Sequence, residues 1–188
     1  MITILTHGHP QRFDEPLSMI DNYDLDRLDP GCQLLLIGMH ADQIHLERRR
    51  ALVDGFLARG GTAVFCGHLI REVFSGAPRW QPAASRHQPD LRVTAADPHP
   101  VWAGVDPGDL SIRRGVSGFY GRGGYPELPE GALVINTVQQ LPLDVELRVG
   151  GGRVLLHGGN DLWGYRSGPG TAARIWPQLL SWGAGRWT

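Results

Sequence analysis

The sequence predicts an α/β fold, a three-layer sandwich whose mostly parallel central sheet is covered by helices on both faces. Three observations carry this expectation. Residues 2–5, 33–37, 62–65 and 153–156 are short runs of almost unbroken apolar character. Strands buried on both faces read this way, whereas half-exposed strands alternate. Between the second and third runs lies a stretch with helical period, and every run ends within a few residues of Gly and His.

Residues 2–5 (ITIL) lead into Thr6-His7-Gly8-His9-Pro10, and residues 33–37 (QLLLI) into Gly38-Met39-His40. A helix is expected over about 42–58. Leu46, Arg50, Val53 and Leu57 recur at helical spacing, Leu52 and Phe56 widen the stripe, Asp42 is placed to cap it and Gly60-Gly61 to stop it. The strand at 62–65 (TAVF) then runs into Cys66-Gly67-His68, completing a βαβ unit with a right-handed crossover. Residues 75–90 read as loop and 91–94 as a further strand. Residues 115–131 read as a long Gly/Pro-rich loop, of a length that often carries function. Strands are expected at 132–135 and 145–149, and Gly150-Gly151-Gly152 turns into the last one, which runs into His157-Gly158-Gly159-Asn160-Asp161. A short helix at 176–183, with Pro177 in its first turn, closes the chain. With no repeat and no boundary in composition, one domain over 1–188 is expected.

Composition narrows the chemistry. The 188 residues carry 18 basic side chains, all Arg, against 19 acidic ones. Without Lys there is no Schiff base, no Lys general base and no Walker-type phosphate loop. A net charge of −1 gives no electrostatic reason to expect nucleic acid or an acidic membrane as partner. No apolar run approaches the roughly 18–20 residues of a membrane span. The first residues lack a basic stretch and are expected to be a strand rather than a signal peptide. Two Cys, 32 and 66, are expected at opposite ends of neighbouring strands and unpaired, which suits the cytoplasm.

In open parallel sheets, ligands bind beyond the carboxyl ends of the strands. If the four strands are parallel, His7, His9, His40, Cys66, His68, His157 and Asp161 share one rim, with five of the chain's eight His. His45, His87 and His99 fall elsewhere. Two chemistries suit such a rim. In one, Cys66 attacks, His157 is the base and Asp161 orients it. A nucleophile elbow needs small neighbours, however, and Val64 and His68 occupy the positions two before and two after Cys66. In the other, His7, His9, His40 and His68, with His157 and Asp161, hold zinc or another divalent metal. Against both stands the plainer alternative of hydrogen-bonded structural His and a buried, inert Cys66.

After the last strand, Gly158-Gly159 lets backbone approach a ligand closely, Asn160 and Asp161 suit hydroxyl groups, and Trp163 and Tyr165 offer rings for stacking. The alternative makes Asn160 and Asp161 turn caps and Trp163 a core residue. Arg113-Arg114 reads as a solvated pair, and Gly121-Arg122-Gly123-Gly124 is only superficially a phosphate loop. Trp80, Trp102, Trp182 and Trp187 leave room for a homodimer interface.

The strand ending in Gly38, the helix closing on Gly60-Gly61 and the corner Cys66-Gly67-His68 resemble the class I glutamine amidotransferase-like superfamily. His99-Pro100-Val101-Trp102-Ala103-Gly104-Val105, Gly151-Gly152-Arg153-Val154 and Pro177-Gln178-Leu179-Leu180-Ser181-Trp182 resemble its ThuA-like (trehalose utilisation) branch. The resemblance covers roughly residues 30–185. It implies a flavodoxin-like α/β domain, a site at the carboxyl rim, and chemistry tied to sugar metabolism, sometimes with a metal there. This chain departs from the family at two places. The elbow Gly-x-Cys-x-Gly-His is not matched around Cys66, and His-Pro-Glu is replaced by His157-Gly158-Gly159, so glutaminase activity is not expected. The expected function is hydrolysis or isomerisation of a small polar, carbohydrate-related ligand. The alternative is a non-catalytic amidotransferase-like module that binds a ligand or a protein.

Overall fold

The computed structural model describes residues 1–6, 13–113, 115–167 and 170–185. His7 and His9 therefore lie outside the described residues, as does Trp187. In chain order the elements are β1 (Ile2–Thr6), β2 (Ser18–Asp21), β3 (Leu34–Ile37), α1 (Gln43–Arg48), α2 (Arg50–Ala58), β4 (Thr62–Cys66), β5 (Gln81–Pro82) and β6 (Val93–Ala95). There follow α3 (Pro107–Ser111), β7 (Ile112–Arg113), β8 (Val116–Ser117), β9 (Gly123–Gly124), β10 (Leu133–Val138), β11 (Leu141–Val149), β12 (Gly152–His157) and α4 (Ile175–Gly183).

Eight strands make one sheet in the order β2-β1-β3-β4-β12-β11-β10-β6. From β2 to β12 the neighbours are parallel, and from β12 to β6 they are antiparallel. The expected α/β fold is the observed one, and the four apolar runs are β1, β3, β4 and β12, adjacent and parallel. Their side chains alternate between two cores. Ile4, Leu34, Leu36, Val64, Cys66 and Leu155 face a layer containing Trp102, Trp176, Leu179 and Trp182. Leu5, Leu35, Ile37, Ala63, Phe65 and Leu156 face the layer of α1 and α2, with Leu46, Val53, Phe56 and Leu57. Burial on both sides explains why these strands lack polar alternation.

The expected helix at 42–58 is two helices, broken at Arg49, whose ψ of 14° leaves the helical range. Asp42 caps the first as expected, accepting from the N–H groups of Ile44 and His45 at 2.9 and 3.0 Å. The apolar stripe is narrower than the sequence suggests. Leu52 is exposed, and Arg50 turns outward to Glu72 at 2.5 Å.

The hairpin from β10 to β11 escaped the sequence reading. Gln139 and Gln140 both adopt positive φ, 49° and 66°, where Asn-Gly pairs are the usual signal. The Gln139 amide clamps the backbone of Ser85, accepting from its N–H at 3.0 Å and donating to its carbonyl at 2.7 Å. β11 therefore begins at Leu141, earlier than expected, and carries Asp144. β2 was also missed, because its half-exposed pattern lacks an apolar run. Residues 115–131, expected as loop, contain β8, β9 and two tyrosines, Tyr120 and Tyr125, without exposed surface. Trp102 and Trp182 are core residues rather than interface candidates. Cys32 and Cys66 are buried free thiols. Among the described residues, no helix is long and apolar enough to cross a membrane.

His99, at the start of the His-Pro segment, has a structural place. Its Nδ1 accepts from the Val101 N–H at 3.2 Å, so its Nε2 carries the proton that faces Glu146 at 3.0 Å. Burial alone would raise the Glu146 carboxyl, but the His99 hydrogen bond, with Arg153 and Arg148 nearby, holds it below its ordinary value. A carboxyl lowered in the folded state stabilises the fold above its unfolded pKa, and that contribution disappears as pH falls through the lower folded value. Glu146→Gln is therefore expected to lower the thermal midpoint at neutral pH and to flatten its acid limb. The two proteins should converge at low pH when midpoints are measured across the range.

Candidate functional site

β1, β3, β4 and β12 bring their carboxyl ends to one edge of the sheet, as the sequence predicts for a site. Just inside that edge, four polar positions lie in register. Cys66 of β4 is the partner of His157 in β12, His157 of Asp144 in β11, and Asp144 of Asn136 in β10. Asp144 is fully buried and accepts three hydrogen bonds: from His157 Nδ1 at 2.6 Å, Tyr120 Oη at 2.7 Å and Asn136 Nδ2 at 2.7 Å. The Tyr120 hydroxyl accepts in turn from Trp102 Nε1 at 2.7 Å. Three donors on one carboxylate offset much of the cost of removing it from water.

An ionised Asp144 has only acceptors, so the proton of a neutral His157 sits on Nδ1 and Nε2 presents a lone pair. That Nε2 is buried and has no hydrogen-bond partner among the described residues. It lies against Gly159, where a Cβ would come within 2.8 Å of it and would collide with the Tyr120 carbonyl. The Gly158-Gly159 pair thus serves close packing within the protein. Asn160 ties the same turn down, donating from Nδ2 to the Phe119 carbonyl at 2.9 Å.

Beyond the turn opens a cleft of about 650 Å³, lined by Met39, His40, Arg113, Phe119, Asn160 and Asp161 among others. Asp161 accepts from the Met39 N–H at 2.7 Å, across the ends of β3 and β12. Burial raises its carboxyl above the ordinary value, held back by that N–H and by His40 and His157. One wall is the β7–β8 ribbon, whose residues alternate. Arg113 and Val116 face this cleft, while Ile112 and Ser117 face a separate hollow of about 480 Å³ beside Gln88 and Arg92. Among the described residues, that hollow has no acid–base pair in its lining.

The rim thus brings His40, Asn160 and Asp161 together in the cleft, with His157 beneath the turn. Cys66 has no exposed surface, and burial, with Asp161 and Asp144 nearby, pushes its thiol well above the ordinary value. His68 stands apart, stacked on Trp80 with ring centres 3.6 Å apart. Burial lowers its pKa. Among the described residues, no three His, Cys, Asp or Glu are grouped to hold a metal, so neither His40 nor His68 belongs to a described ligand set. Trp163 and Tyr165, expected as stacking platforms, are 1% and 2% exposed and belong to the core, although Trp163 also lines the cleft. Tyr165 already carries the Arg113 guanidinium at 4.2 Å from its ring centre and Tyr120 against its edge at 5.5 Å. The exposed apolar ring of the cleft, among the described residues, is Phe119, 37% exposed. Arg113, expected as part of a solvated pair, is wall. Asp144, Tyr120, Phe119 and Arg113 were all missed, and only the length of the 115–131 segment hinted at two of them.

No family model and no curated protein matches the chain. Solved structures do resemble it. The cytoplasmic protein STM3548 from Salmonella typhimurium is 14% identical, with 88% of this chain and 80% of that one covered and a TM-score of 0.58. The likeness is one of fold. Gan42B, a GH42 β-galactosidase from G. stearothermophilus, is 17% identical over 92% of this chain, with a TM-score of 0.46. The exo-β-1,4-mannosidase Op5Man5 from Opitutaceae bacterium strain TAV5 is 12% identical over 98%, with a TM-score of 0.41. This chain spans 24% of the galactosidase chain and 34% of the mannosidase chain.

Asp144→Leu strands the Tyr120 hydroxyl, the Asn136 amide and His157 Nδ1 without an acceptor. At about 1–3 kcal/mol for each buried orphan, the variant should lose roughly 3 kcal/mol or more of stability. Asp144→Asn, which keeps one acceptor oxygen, should lose less. Urea unfolding of the two variants beside the wild type checks both values.

Proposed function

We propose that the chain binds a small polar, carbohydrate-related molecule in the cleft and hydrolyses or isomerises it, with His157 as the acid/base group. The observation that supports this most is the buried Asp144–His157 pair at 2.6 Å, which leaves Nε2 as an unpartnered lone pair under the turn that lines the cleft. A carboxylate on Nδ1 fixes the tautomer and stabilises the imidazolium formed when Nε2 takes a proton from water or a substrate hydroxyl. Asn160 and Asp161 supply hydroxyl recognition, and His40 lines the same space. For Nε2 to meet a ligand, the Gly159 turn must part from Tyr120. That movement gives up the Asn160–Phe119 hydrogen bond, which a ligand hydroxyl can replace.

The relationship to the class I glutamine amidotransferase-like superfamily, and to its ThuA-like branch, is part of this proposal. The parallel order of β1, β3, β4 and β12 and the adjacency of Cys66 and His157 support it. In this chain the acid partner of His157 comes from β11, across the sheet, where His157-Gly158-Gly159 lacks a carboxylate. Glutaminase chemistry is not proposed, since Cys66 is buried and held as a thiol.

Complete burial of His157 and Cys66 favours a second reading, a non-catalytic module whose polar row is structural. Thermal-shift screening against monosaccharides, sugar acids and sugar phosphates, followed by NMR of any ligand found, separates the two. His157→Gln, which keeps a donor for Asp144, should retain binding and lose turnover by about 100-fold or more. Binding without turnover by the wild type would select the module, and no binding of any of these ligands would defeat the catalytic reading.

A metal-assisted form of the reaction adds zinc or another divalent ion at this rim, with His7, His9 and His40 as ligands. Elemental analysis of protein purified without tag or chelator should then find about one equivalent, reduced in a His7→Ala/His40→Ala double variant. A metal-free wild type removes the ion from the mechanism.

A further inference from the structure

Arg113 is the group in the cleft whose surroundings fit it least. It is half-buried, its Nη2 donates to the Gly164 carbonyl at 2.5 Å, and the Ser167 carbonyl lies at 3.5 Å. Its guanidinium carbon sits 4.2 Å from the ring centre of Tyr165 and 5.2 Å from that of Phe119. All these partners are neutral. Among the described residues no carboxylate pairs with Arg113, although Arg27, Arg50, Arg71 and Arg148 each have one. A second guanidinium, Arg166, lines the same cleft and donates to the Trp163 carbonyl at 2.9 Å. Among the described residues, Asp161 is the one carboxylate of the lining.

A cation drawn partly out of water and given no counter-charge is costly, and an anion brought to it recovers that cost. The carbonyls and rings hold Arg113 in one orientation before any ligand arrives, so little entropy is lost on binding. We propose that the cleft takes a small polyhydroxylated oxyanion, a sugar acid or sugar phosphate, with its carboxylate or phosphate on Arg113 and its hydroxyls on Asn160 and Asp161. This rests on the cleft being the ligand site under Proposed function, and it names the ligand class. It also gives Asp161 a use as a hydroxyl acceptor at the cleft.

The test titrates the wild-type protein with D-glucuronate, D-glucose 6-phosphate and neutral D-glucose, following the Arg113 Nε–H and Asn160 side-chain signals by NMR. Either anion should shift the Arg113 signal saturably, with glucose at least about tenfold weaker. Response to glucuronate alone identifies a carboxylate ligand, to the phosphate alone a phosphorylated one, and to both an oxyanion of either kind. Arg113→Met should weaken anion binding by about tenfold or more, and Arg113→Lys by less, because the charge remains without the planar fork. Should Arg113→Met fail to fold, added NaCl takes its place and should weaken anion binding to the wild type. Anion binding unchanged in Arg113→Met or by salt would overturn the inference. Glucose binding as well as the anions would overturn it while leaving the cleft as the ligand site. No response of either cleft signal to any of the three would remove both.

Discussion

Asp144 carries its carboxylate into the buried interior, where hydrogen bonds from His157, Tyr120 and Asn136 offset the lost solvation. Each donor belongs to a different part of the chain: the last strand of the parallel set, the segment between β8 and β9, and the antiparallel strand β10. Trp102 stands behind Tyr120 and adds a fourth part, the Pro100–Trp102 turn. None of these segments can shift alone without leaving a buried polar group unpaired. The register of β12, β11 and β10 and the path of residues 115–131 are thus bound to one side chain.

The same carboxylate decides what His157 can do. By occupying Nδ1 it leaves the lone pair on Nε2, and the close approach of Gly159 to Tyr120 keeps that lone pair from solvent. The polar row is therefore buried and the cleft beside it is open, separated by a single turn. Asn160 belongs to both, lining the cleft while fastening the turn to Phe119. Under the proposed function, a ligand that engages Asn160 acts on a contact that helps hold the row closed, which would couple binding in the cleft to access to the imidazole.

Much of the architecture could be read from the chain. Residues 34–37 and 62–66 are buried at every position, so selection for apolar side chains on both faces leaves a signal that needs no knowledge of neighbours. The rim followed from those strands, and His40 and Asp161 do line the cleft. Asp144 could not be read. In Leu141-Pro142-Leu143-Asp144 there is neither an apolar run nor clean alternation, and the Gln139-Gln140 turn lacks the residues that usually mark a hairpin. Trp163 and Tyr165 follow a strand end, where an aromatic ring can fold back into the core or face outward. Their own neighbours in sequence do not distinguish the two.

Local periodicity and backbone preference reside in consecutive residues, so the sequence by itself determined the four parallel strands, the capped helix after Asp42 and the edge where a site would form. Partnership across the fold depends on which segments come to lie side by side. Arg113 meets the Gly164 carbonyl 51 residues away, and Met39 meets Asp161 across 122. Whether an arginine is solvated or walled in, whether a tryptophan stacks on a ligand or fills the core, and which carboxylate orients His157 were decided only by the tertiary structure. Those choices rest on burial and hydrogen bonding summed over contacts that no stretch of the chain contains.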